Sequence, residues 1–359
     1  MERTGPLRGV RVLEMAAVGP VPFCAMLLAD LGADVLRLAR PGQPDSHATD
    51  VTARSRAALT VDVRTAEGLA RVHGLARRAD IFLEGNRPGA MERLCLGPDE
   101  LHLINPRLVY GRMTGWGQTG PLSRTAGHDI NYIALSGALH AIGAAGGPPI
   151  APLNLAGDYG GGAMFLALGV LCALLEARSS GQGQVVDAAM TDGSASLMSR
   201  FTGLMARGRW TLERGVNMLD GGAPYYGTYE TADGRHVAVG ALEEPFWLAL
   251  LSGLGLDAKA MPSRNDHTQW PAIRTILEAA FRSRPRDAWA SLFAFTDACV
   301  TPVLNLAEAA GHPHNQARQT FIEIDGVVQP APAPRFSRTP SAPPDSSASI
   351  EAEPPGWST

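Results

Sequence analysis

Two residues that can carry protons stand thirty positions apart in this chain, each beside glycine. His128 lies in the run GHDINY of residues 127–132, and Asp158 lies in the run GDYGGG of residues 157–162. An imidazole and a carboxyl group differ in acid strength, so they can work as a pair of proton carriers. Asp158 also precedes a predicted helix, whose N-terminus presents unpaired N–H groups and partial positive charge to an oxyanion. The pattern indicates proton abstraction beside a carbonyl group.

Each of these features also has a simpler structural explanation. A histidine at a helix start is often a capping or surface residue, and aspartate is a common N-cap. The three glycines at 160–162 can serve close helix packing, although a thioester or phosphate pressed against the backbone would also need them. Glu243 and Glu244 begin an apolar helix, where acidic side chains complement the helix dipole. At Asp158 a capping role and a catalytic role are compatible.

The composition sets bounds on the class of protein. With 359 residues, 45% hydrophobic and 18% charged, the chain fits a soluble protein of two domains, or of one large domain with a smaller insertion. The net charge of −4 gives no reason to expect nucleic acid or an anionic membrane as partner. The longest apolar stretch, 163–175, is too short to span a bilayer, and the N-terminus does not resemble a signal peptide.

Cysteine and lysine usage exclude several chemistries. The four cysteines show no CxxC spacing, so neither a zinc site nor a disulfide framework is expected, and a reducing cytoplasm is the simplest location. The only lysine, Lys259, lies in a short polar run. A Schiff-base enzyme needs a lysine in its site, so pyridoxal-phosphate chemistry is not expected. We expect no metal and no cofactor.

The first half of the chain has the pattern of a parallel α/β fold. A strand at 10–15, a helix at 22–30 and a strand at 34–38 predict a βαβ unit. The first turn lacks GxGxxG, and Arg37 and Arg40 follow where an NAD site would place an acid. These arginines favour a nucleotide that bears a ribose phosphate, or they are solvated surface charges.

Further periodic segments extend this pattern. Strands are predicted at 81–84, 108–114 and 184–189, and helices at 66–79, 98–103, 131–139, 162–178 and 192–206. The glycine-rich run 115–121 is predicted to be a loop at a strand end, where α/β folds keep their chemistry. Beyond it, a hairpin at 226–240 and helices near 245–252, 271–281 and 286–295 predict a smaller α+β unit.

Several long ordered runs resemble the α-methylacyl-CoA racemases of the class III CoA-transferase family. The resemblance is carried by 112–121, 127–137, 152–162, 217–226 with its MLDGG, and 331–338, and it covers nearly the whole chain apart from the tail. It implies an interlocked homodimer of ring-like monomers, each with a Rossmann-like large domain and a smaller α+β domain. The expected boundaries are 1–207 for the large domain, completed by 318–345, 208–225 for a linker, 226–317 for the small domain and 346–359 for a flexible tail.

The resemblance also implies roles for individual residues. His128 and Asp158 would transfer protons, Glu243 would bond His128, and Asn154 and Tyr226 would support Asp158. Two departures matter: relatives often have lysine where this chain has Arg64, and a relative has proline where Glu244 stands, which leaves open which glutamate faces His128. The positions that match CoA contacts are Arg40, Val61, Asp62, Val63, Arg64, Gly85, Asn86, Arg87, Arg93, Gly127, Asp129, Ile130, Asn131 and Tyr132.

The mechanism implied is 1,1-proton transfer that interconverts (R)- and (S)-2-methylacyl-CoA thioesters. His128 would take the α-proton from one face and Asp158 would return one to the other, while backbone N–H groups near Asp158 meet the enolate oxygen. CoA enters as part of the substrate. Two alternatives remain: a CoA transferase in which Asp158 is the acyl-accepting nucleophile, and a CoA-binding scaffold without turnover. An intact set of His128, Asp158 and Glu243 favours the racemase.

Overall fold

The computed structural model describes residues 4–42, 49–346, 348–350 and 357, with the main chain alone at 348–350. His47 and most of the predicted tail therefore lie outside the described residues. The strands within this part are β1 Arg11–Met15, β2 Asp34–Ala39, β3 Ala57–Thr60, β4 Ile81–Glu84, β5 Val109–Thr114, β6 Val185–Ala189, β7 Tyr226–Glu230, β8 His236–Gly240, β9 Val300–Pro302, β10 Phe321–Ile324, β11 Val327–Pro330 and β12 Ala348–Ile350.

The helices are α1 Pro20–Asp30, α2 Ala66–Ala76, α3 Ala90–Arg93, α4 Pro98–Ile104, α5 Asp129–Leu135, α6 Ala138–Ala141, α7 Met164–Ser180, α8 Met190–Leu197, α9 Ser199–Ala206, α10 Glu244–Leu254, α11 Trp270–Phe281, α12 Arg286–Phe293, α13 Leu306–Ala309 and α14 Pro313–Ala317. Short 3₁₀ turns occupy Val51–Ala53 and His267–Gln269. A π-helical segment, Leu155–Ala163, leads directly into α7.

The chain divides into two compact units. The first comprises residues 1–138, 152–198 and 313–359, and the second comprises 139–151 and 199–312. These boundaries differ from the expected ones: segments 139–151 and 199–207 belong to the second unit, and residues 313–317 belong to the first. Arg214 contributes to the first difference, because its guanidinium donates hydrogen bonds to the carbonyl oxygens of His140 at 2.8 Å and Gly147 at 2.6 Å.

Seven described strands of the first unit form a parallel sheet in the order β12-β3-β2-β1-β4-β5-β6. Apart from β12, this is the strand order of doubly wound nucleotide-binding folds. The chain reverses its direction of progress between β1 and β4. Ligands of such sheets bind outside the carboxyl ends of the strands at this reversal, which defines where a site is expected.

Helices cover both faces of the sheet, so its strands are apolar on both sides. On one face α1 and α7 pack against β1, β2, β4 and β5 through buried side chains that include Leu28, Val35 and Val170. On the other face α2, α3 and α4 pack through side chains that include Leu75 and Leu101. The predicted α/β class with a parallel central sheet is confirmed.

Two of the predicted helices are interrupted. The prediction of one helix over 131–139 is wrong, because Gly137 has a φ of +85° and separates α5 from α6. A left-handed residue cannot continue a right-handed helix, and glycine adopts this conformation at little cost. The predicted helix over 192–206 likewise divides into α8 and α9 at Met198.

The C-terminal segment departs from the expected flexible tail over 346–359. The main chain of Ala348–Ile350 forms β12 and pairs in parallel with β3. Trp357 is fully buried against the second face of the sheet, and its indole N–H donates to Asp34 Oδ2 at 2.8 Å. The low hydrophobicity of the segment gave no indication of this order, because only one strand and one tryptophan attach the segment to the sheet. Residues 347, 351–356, 358 and 359 lie outside the described part.

The second unit has its own core. The β7–β8 hairpin and β9 form an antiparallel sheet, and α10, α11 and α12 contribute buried aromatic side chains that include Trp247, Phe281 and Trp289. The predicted hairpin is present. The predicted linker, residues 208–225, lies wholly in the described part of the chain and contains no helix or strand.

The helical stretch Leu155–Ser180 is long and apolar enough to cross a membrane, with a mean hydropathy of 1.8 in its most apolar window. Half of that window is buried inside the protein. The stretch is longer than the apolar run expected from sequence because the π-helical segment and α7 are continuous. Its burial against the sheet is typical of the core helix of a soluble protein.

Candidate active site

A cavity of about 510 Å³ opens at the carboxyl ends of β1, β4 and β5, where the strand order predicts a site. His128 and Asp158 both line it, so the fold brings together the two proton carriers singled out in the sequence. The other lining residues are Val18, Gly19, Pro20, Val21, Gly85, Asn86, Arg87, Pro88, Met113, Thr114, Gly115, Trp116, Ser123, Thr125, Ala126, Gly127, Asp129, Tyr132, Asn154 and Met190.

His128 is the N-cap residue of α5 and has an extended backbone. Its backbone N–H donates to Asn131 Oδ1 at 3.0 Å, and its carbonyl oxygen accepts from Asn131 N at 2.8 Å. Asn131 therefore fixes the first turn of α5 instead of lining the cavity. His128 itself is exposed, so its imidazole is accessible to a ligand.

Asp158 lies in the first half of the π-helical segment. Such segments are rare and occur frequently at functional sites. Asn154 Nδ2 donates to Asp158 Oδ2 at 3.1 Å. Burial raises the pKa of the Asp158 carboxyl group, the hydrogen bond from Asn154 lowers it, the negative charge of Asp129 raises it and His128 lowers it. The net shift of the Asp158 pKa is upward, and a shifted carboxyl group in a cavity is a candidate for acid–base chemistry.

The backbone N–H of Asp158 is already engaged. It donates to Asp129 Oδ2 at 2.7 Å, between residues 29 positions apart in the chain. The expectation that N–H groups near Asp158 meet an oxyanion must therefore be revised for this donor. The N-terminus of α1 lies beside the Asp158 carboxyl group: a Cβ on Gly19, the N-cap residue of α1, would stand 3.2 Å from Asp158 Oδ2. Its partial positive charge favours negative charge in this part of the cavity.

The glycines at 160–162 serve helix packing. A Cβ on Gly161 would lie 2.5 Å from Ser194 Oγ, and one on Gly162 would lie 3.0 Å from Met190 Cγ, both on α8. A Cβ on Gly160 would approach Leu155 O at 3.0 Å. The simpler explanation of the three glycines is thus sufficient.

The predicted loop after β5 is held by Tyr132. A Cβ on Gly115 would lie 2.0 Å from the Tyr132 ring, and the ring of Trp116 meets that of Tyr132 edge to face at a centroid distance of 4.7 Å. The Tyr132 hydroxyl donates to Gly127 O, on the loop that leads to His128. Tyr132 thus links two loops of the cavity and is buried beneath them.

The predicted CoA contacts fall into two groups. Gly85, Asn86, Arg87, Gly127, Asp129 and Tyr132 line the cavity. Asn86 is positioned by the buried Glu84 side chain, because the backbone N–H of Asn86 donates to Glu84 Oε2 at 2.6 Å. Glu84 is held in turn by Arg112, whose Nε donates to Glu84 Oε1 at 3.0 Å. The remaining residues lie outside the cavity lining: Arg40, Val61, Asp62, Val63, Arg64, Arg93, Ile130 and Asn131.

Glu243 and Tyr226 belong to the second unit. Glu243 is the N-cap residue of α10, and Glu244 is its first residue. The Glu244 carboxylate pairs with Arg264 at 3.0 Å, whereas no described residue of this unit forms a hydrogen bond or ion pair with the Glu243 carboxylate. Tyr226 begins β7.

Sequence reasoning missed the part of the site that follows β1. Val18, Gly19 and Val21 line the cavity, although this turn lacks the glycine fingerprint of dinucleotide-binding folds. The pair Gly19-Pro20 could have indicated this turn, because proline is common in the first turn of a helix. Glycine before it permits the positive φ of +70°. Among the described residues, no three histidine, cysteine or acidic side chains converge on a metal site.

Comparison with known proteins supplies the family. The profile of CoA-transferase family III matches residues 7–352. The chain is 46% identical to the α-methylacyl-CoA racemase of Mus musculus and 44% identical to that of Homo sapiens, in each case over 94% of this chain and 88% of the relative. The crystal structure of a CAIB/BAIF family protein from Brucella suis superposes with a TM-score of 0.82 and 24% identity over 97% of both chains, which supports the same fold.

Proposed function

Because the chain belongs to CoA-transferase family III, we propose that it is an isomerase that interconverts (R)- and (S)-2-methylacyl-CoA thioesters. The similarity to two α-methylacyl-CoA racemases over 94% of the chain supports this activity. The observation that carries the chemistry is the common cavity of His128 and Asp158, an imidazole and a carboxyl group at the reversal point of the sheet. Two proton carriers on opposite faces of a carbon can invert it, and we assign His128 and Asp158 to these two positions.

In the proposed mechanism, His128 removes the α-proton from one face and Asp158 delivers a proton to the other, with the roles exchanged in the reverse reaction. The α-proton of a thioester is weakly acidic, so the enolate must be stabilised more than the ground state. The N-terminus of α1 beside Asp158 supplies partial positive charge for this purpose. No cofactor other than the CoA of the substrate is needed.

We propose that Arg87 contacts the CoA phosphates, since it is the arginine among the described residues that line the cavity. Arg40, Arg64 and Arg93 are proposed to contact the nucleotide beyond the cavity, as the resemblance implies. All three are exposed, which fits binding to a charged ligand at the surface. Two of the N–H groups of the Arg64 guanidinium already donate to the oxygens of Asp62, each at 2.9 Å.

Glu243, rather than Glu244, is proposed to support His128. Glu244 is engaged by Arg264, so the free carboxylate at the start of α10 is that of Glu243. We expect Glu243→Ala to lower kcat about tenfold through loss of an oriented imidazole, in line with the modest contribution of a single supporting hydrogen bond. Glu244→Ala is the matched control and should retain kcat. Equal losses in both variants, measured with purified (S)-2-methylacyl-CoA, would contradict the assignment.

The rival function is CoA transfer with Asp158 as nucleophile. Incubation of pure (S)-2-methylacyl-CoA without a free acid separates the two. The racemase produces the (R)-epimer, and no acyl adduct forms on Asp158. A transferase gives no (R)-epimer: the Asp158 carboxylate attacks the thioester, the CoA thiol leaves, and mass spectrometry finds the acyl group on Asp158 as a mixed anhydride. Turnover then needs an added free acid, onto which the CoA is transferred. That second outcome would overturn the proposed function.

We also propose an interlocked homodimer in the cytoplasm. Met164, Leu168 and Leu175 of α7 are 52%, 60% and 68% exposed, and their spacing places them on one helix face. A second copy that covers this apolar face is consistent with the dimer implied by the family. Sedimentation should give twice the chain mass of 37.9 kDa. A monomer at micromolar concentration would contradict the proposal.

A further inference from the structure

Asp129 is a buried carboxylate that the proposed proton transfer does not use. It is the first residue of α5, and only 8% of its surface is exposed. Its Oδ2 accepts the N–H of Asp158 at 2.7 Å, and its Oδ1 is buried without a hydrogen-bond partner among the described residues. Burial of a partly satisfied carboxylate is costly, so a reason for its position is required.

The neighbouring residue Gly157 shows that the contact depends on close approach. A Cβ at position 157 would stand 2.3 Å from Asp129 Oδ2 and 3.2 Å from Ile133 Cγ2. The φ of Gly157 is not in the left-handed region, so the backbone conformation alone does not require glycine. Glycine is needed because the Asp129 carboxylate presses against this backbone.

We propose that Asp129 is a positioning residue that fixes Asp158 through its backbone N–H and places a negative charge beside its carboxyl group. The inference rests on the proposed proton-transfer function. In the first turn of a helical segment the N–H groups lack partners within the helix, so an acceptor from another element determines where that turn stands. Asp129 follows His128 directly and therefore ties both proton carriers to one short segment.

The effect of the Asp129 charge on Asp158 must be separated from the effects of the other charged and titratable groups around Asp158. From α5 these are His128, Asp129 and Tyr132, and from the loop after β4 Arg87 lines the same cavity. Asn154 donates from the same helical segment, and α1 contributes its N-terminus. Asp129 is the negative charge of this set, and it raises the pKa of the Asp158 carboxyl group.

Asp129→Asn separates the charge of Asp129 from its positioning role. The amide oxygen can still accept the Asp158 N–H, while the negative charge is lost. The pKa of Asp158 should therefore fall, and the acidic limb of kcat/KM should move to lower pH in the direction in which Asp158 is the base. Gly157→Ala retains both carboxylates but displaces Asp129, and we expect kcat to fall about 10²-fold with little change in KM. Gly74→Ala in α2, where a Cβ meets no atom within 4 Å, is the matched control and should be unaffected.

The Asp158 titration can also be followed without turnover, by ¹³C NMR of carboxyl groups, with Asp158→Asn used to assign the signal. A lower Asp158 pKa in Asp129→Asn than in the wild type supports the inference. Identical titration curves overturn it whether or not the protein is a racemase. An active wild type with Gly157→Ala kinetics equal to those of Gly74→Ala overturns it as well, while the proposed function stands. Absence of racemisation in the wild type contradicts the function alone.

Discussion

Asp158→Asn is expected to lower the kcat of racemisation by about 10²–10⁴-fold, the range typical of a lost general acid or base. The same change should make the protein more stable near neutral pH. Burial raises the pKa of the Asp158 carboxyl group, so the folded state binds this proton more tightly than the unfolded state does. Stability is therefore lost as pH rises above the unfolded value of about 4, and asparagine avoids that loss.

The stability part of this prediction is measured by urea unfolding of both proteins at neutral pH and below about pH 4. The advantage of Asp158→Asn should be present at neutral pH and disappear at the lower pH, where Asp158 is protonated in both states. Asp266→Asn is a control of opposite sign, because hydrogen bonds from Thr268 lower the pKa of this exposed carboxyl group. A wild type that is as stable as Asp158→Asn at every pH would show that Asp158 carries no such cost.

Arg54→Met is expected to destabilise the protein by about 3–5 kcal/mol, because it leaves a buried carboxylate unpaired. Arg54 donates to both oxygens of Asp30, at 3.0 and 2.6 Å, and the two side chains are 4% and 1% exposed. The same guanidinium donates to Gln329 Oε1 at 3.0 Å and to Pro330 O at 2.6 Å, so it joins α1 to β11. Its loss removes both connections.

Urea unfolding of Arg54→Met checks this expectation. Burial already raises the pKa of Asp30 despite the opposing effect of Arg54, so the loss should be smaller at low pH, where Asp30 can take up a proton. The double variant Arg54→Met with Asp30→Asn should recover part of it. Arg64→Met, at an exposed pair with similar distances, should be close to neutral. Equal effects at Arg54 and Arg64 would show that burial does not determine the strength of this pair.

Five strands of the parallel sheet could be predicted from sequence because they are encoded locally, whereas β3 and β12 were not predicted. Apolar runs bounded by turn residues identified β1, β2, β4, β5 and β6, and their parallel pairing follows from the intervening helices. Features that depend on distant partners could not be predicted. Trp357 enters the core more than three hundred residues after its partner Asp34, and the polar composition around it gives no indication of burial. The arginine that joins 139–151 to the second unit is likewise a long-range contact.

The candidate site shows the same division. His128 and Asp158 could be identified by residue type and by resemblance, and the fold places both at one cavity. The surroundings that determine their chemistry required coordinates. Asp129 accepts the Asp158 N–H, α8 explains Gly161 and Gly162, and Gly19 lies beside the carboxyl group. None of these contacts has a local sequence signal, since each joins elements that are far apart in the chain.

The most direct test of the central claim is solvent exchange at the α-carbon. Each pure enantiomer of a 2-methylacyl-CoA is incubated with the enzyme in D₂O, and the α-deuterium content of both epimers is measured by NMR and mass spectrometry. Proton transfer through His128 and Asp158 predicts that every inverted molecule carries one solvent deuterium at the α-carbon, from either starting enantiomer. Inversion without deuterium, or no exchange and no epimer from either enantiomer, would contradict it.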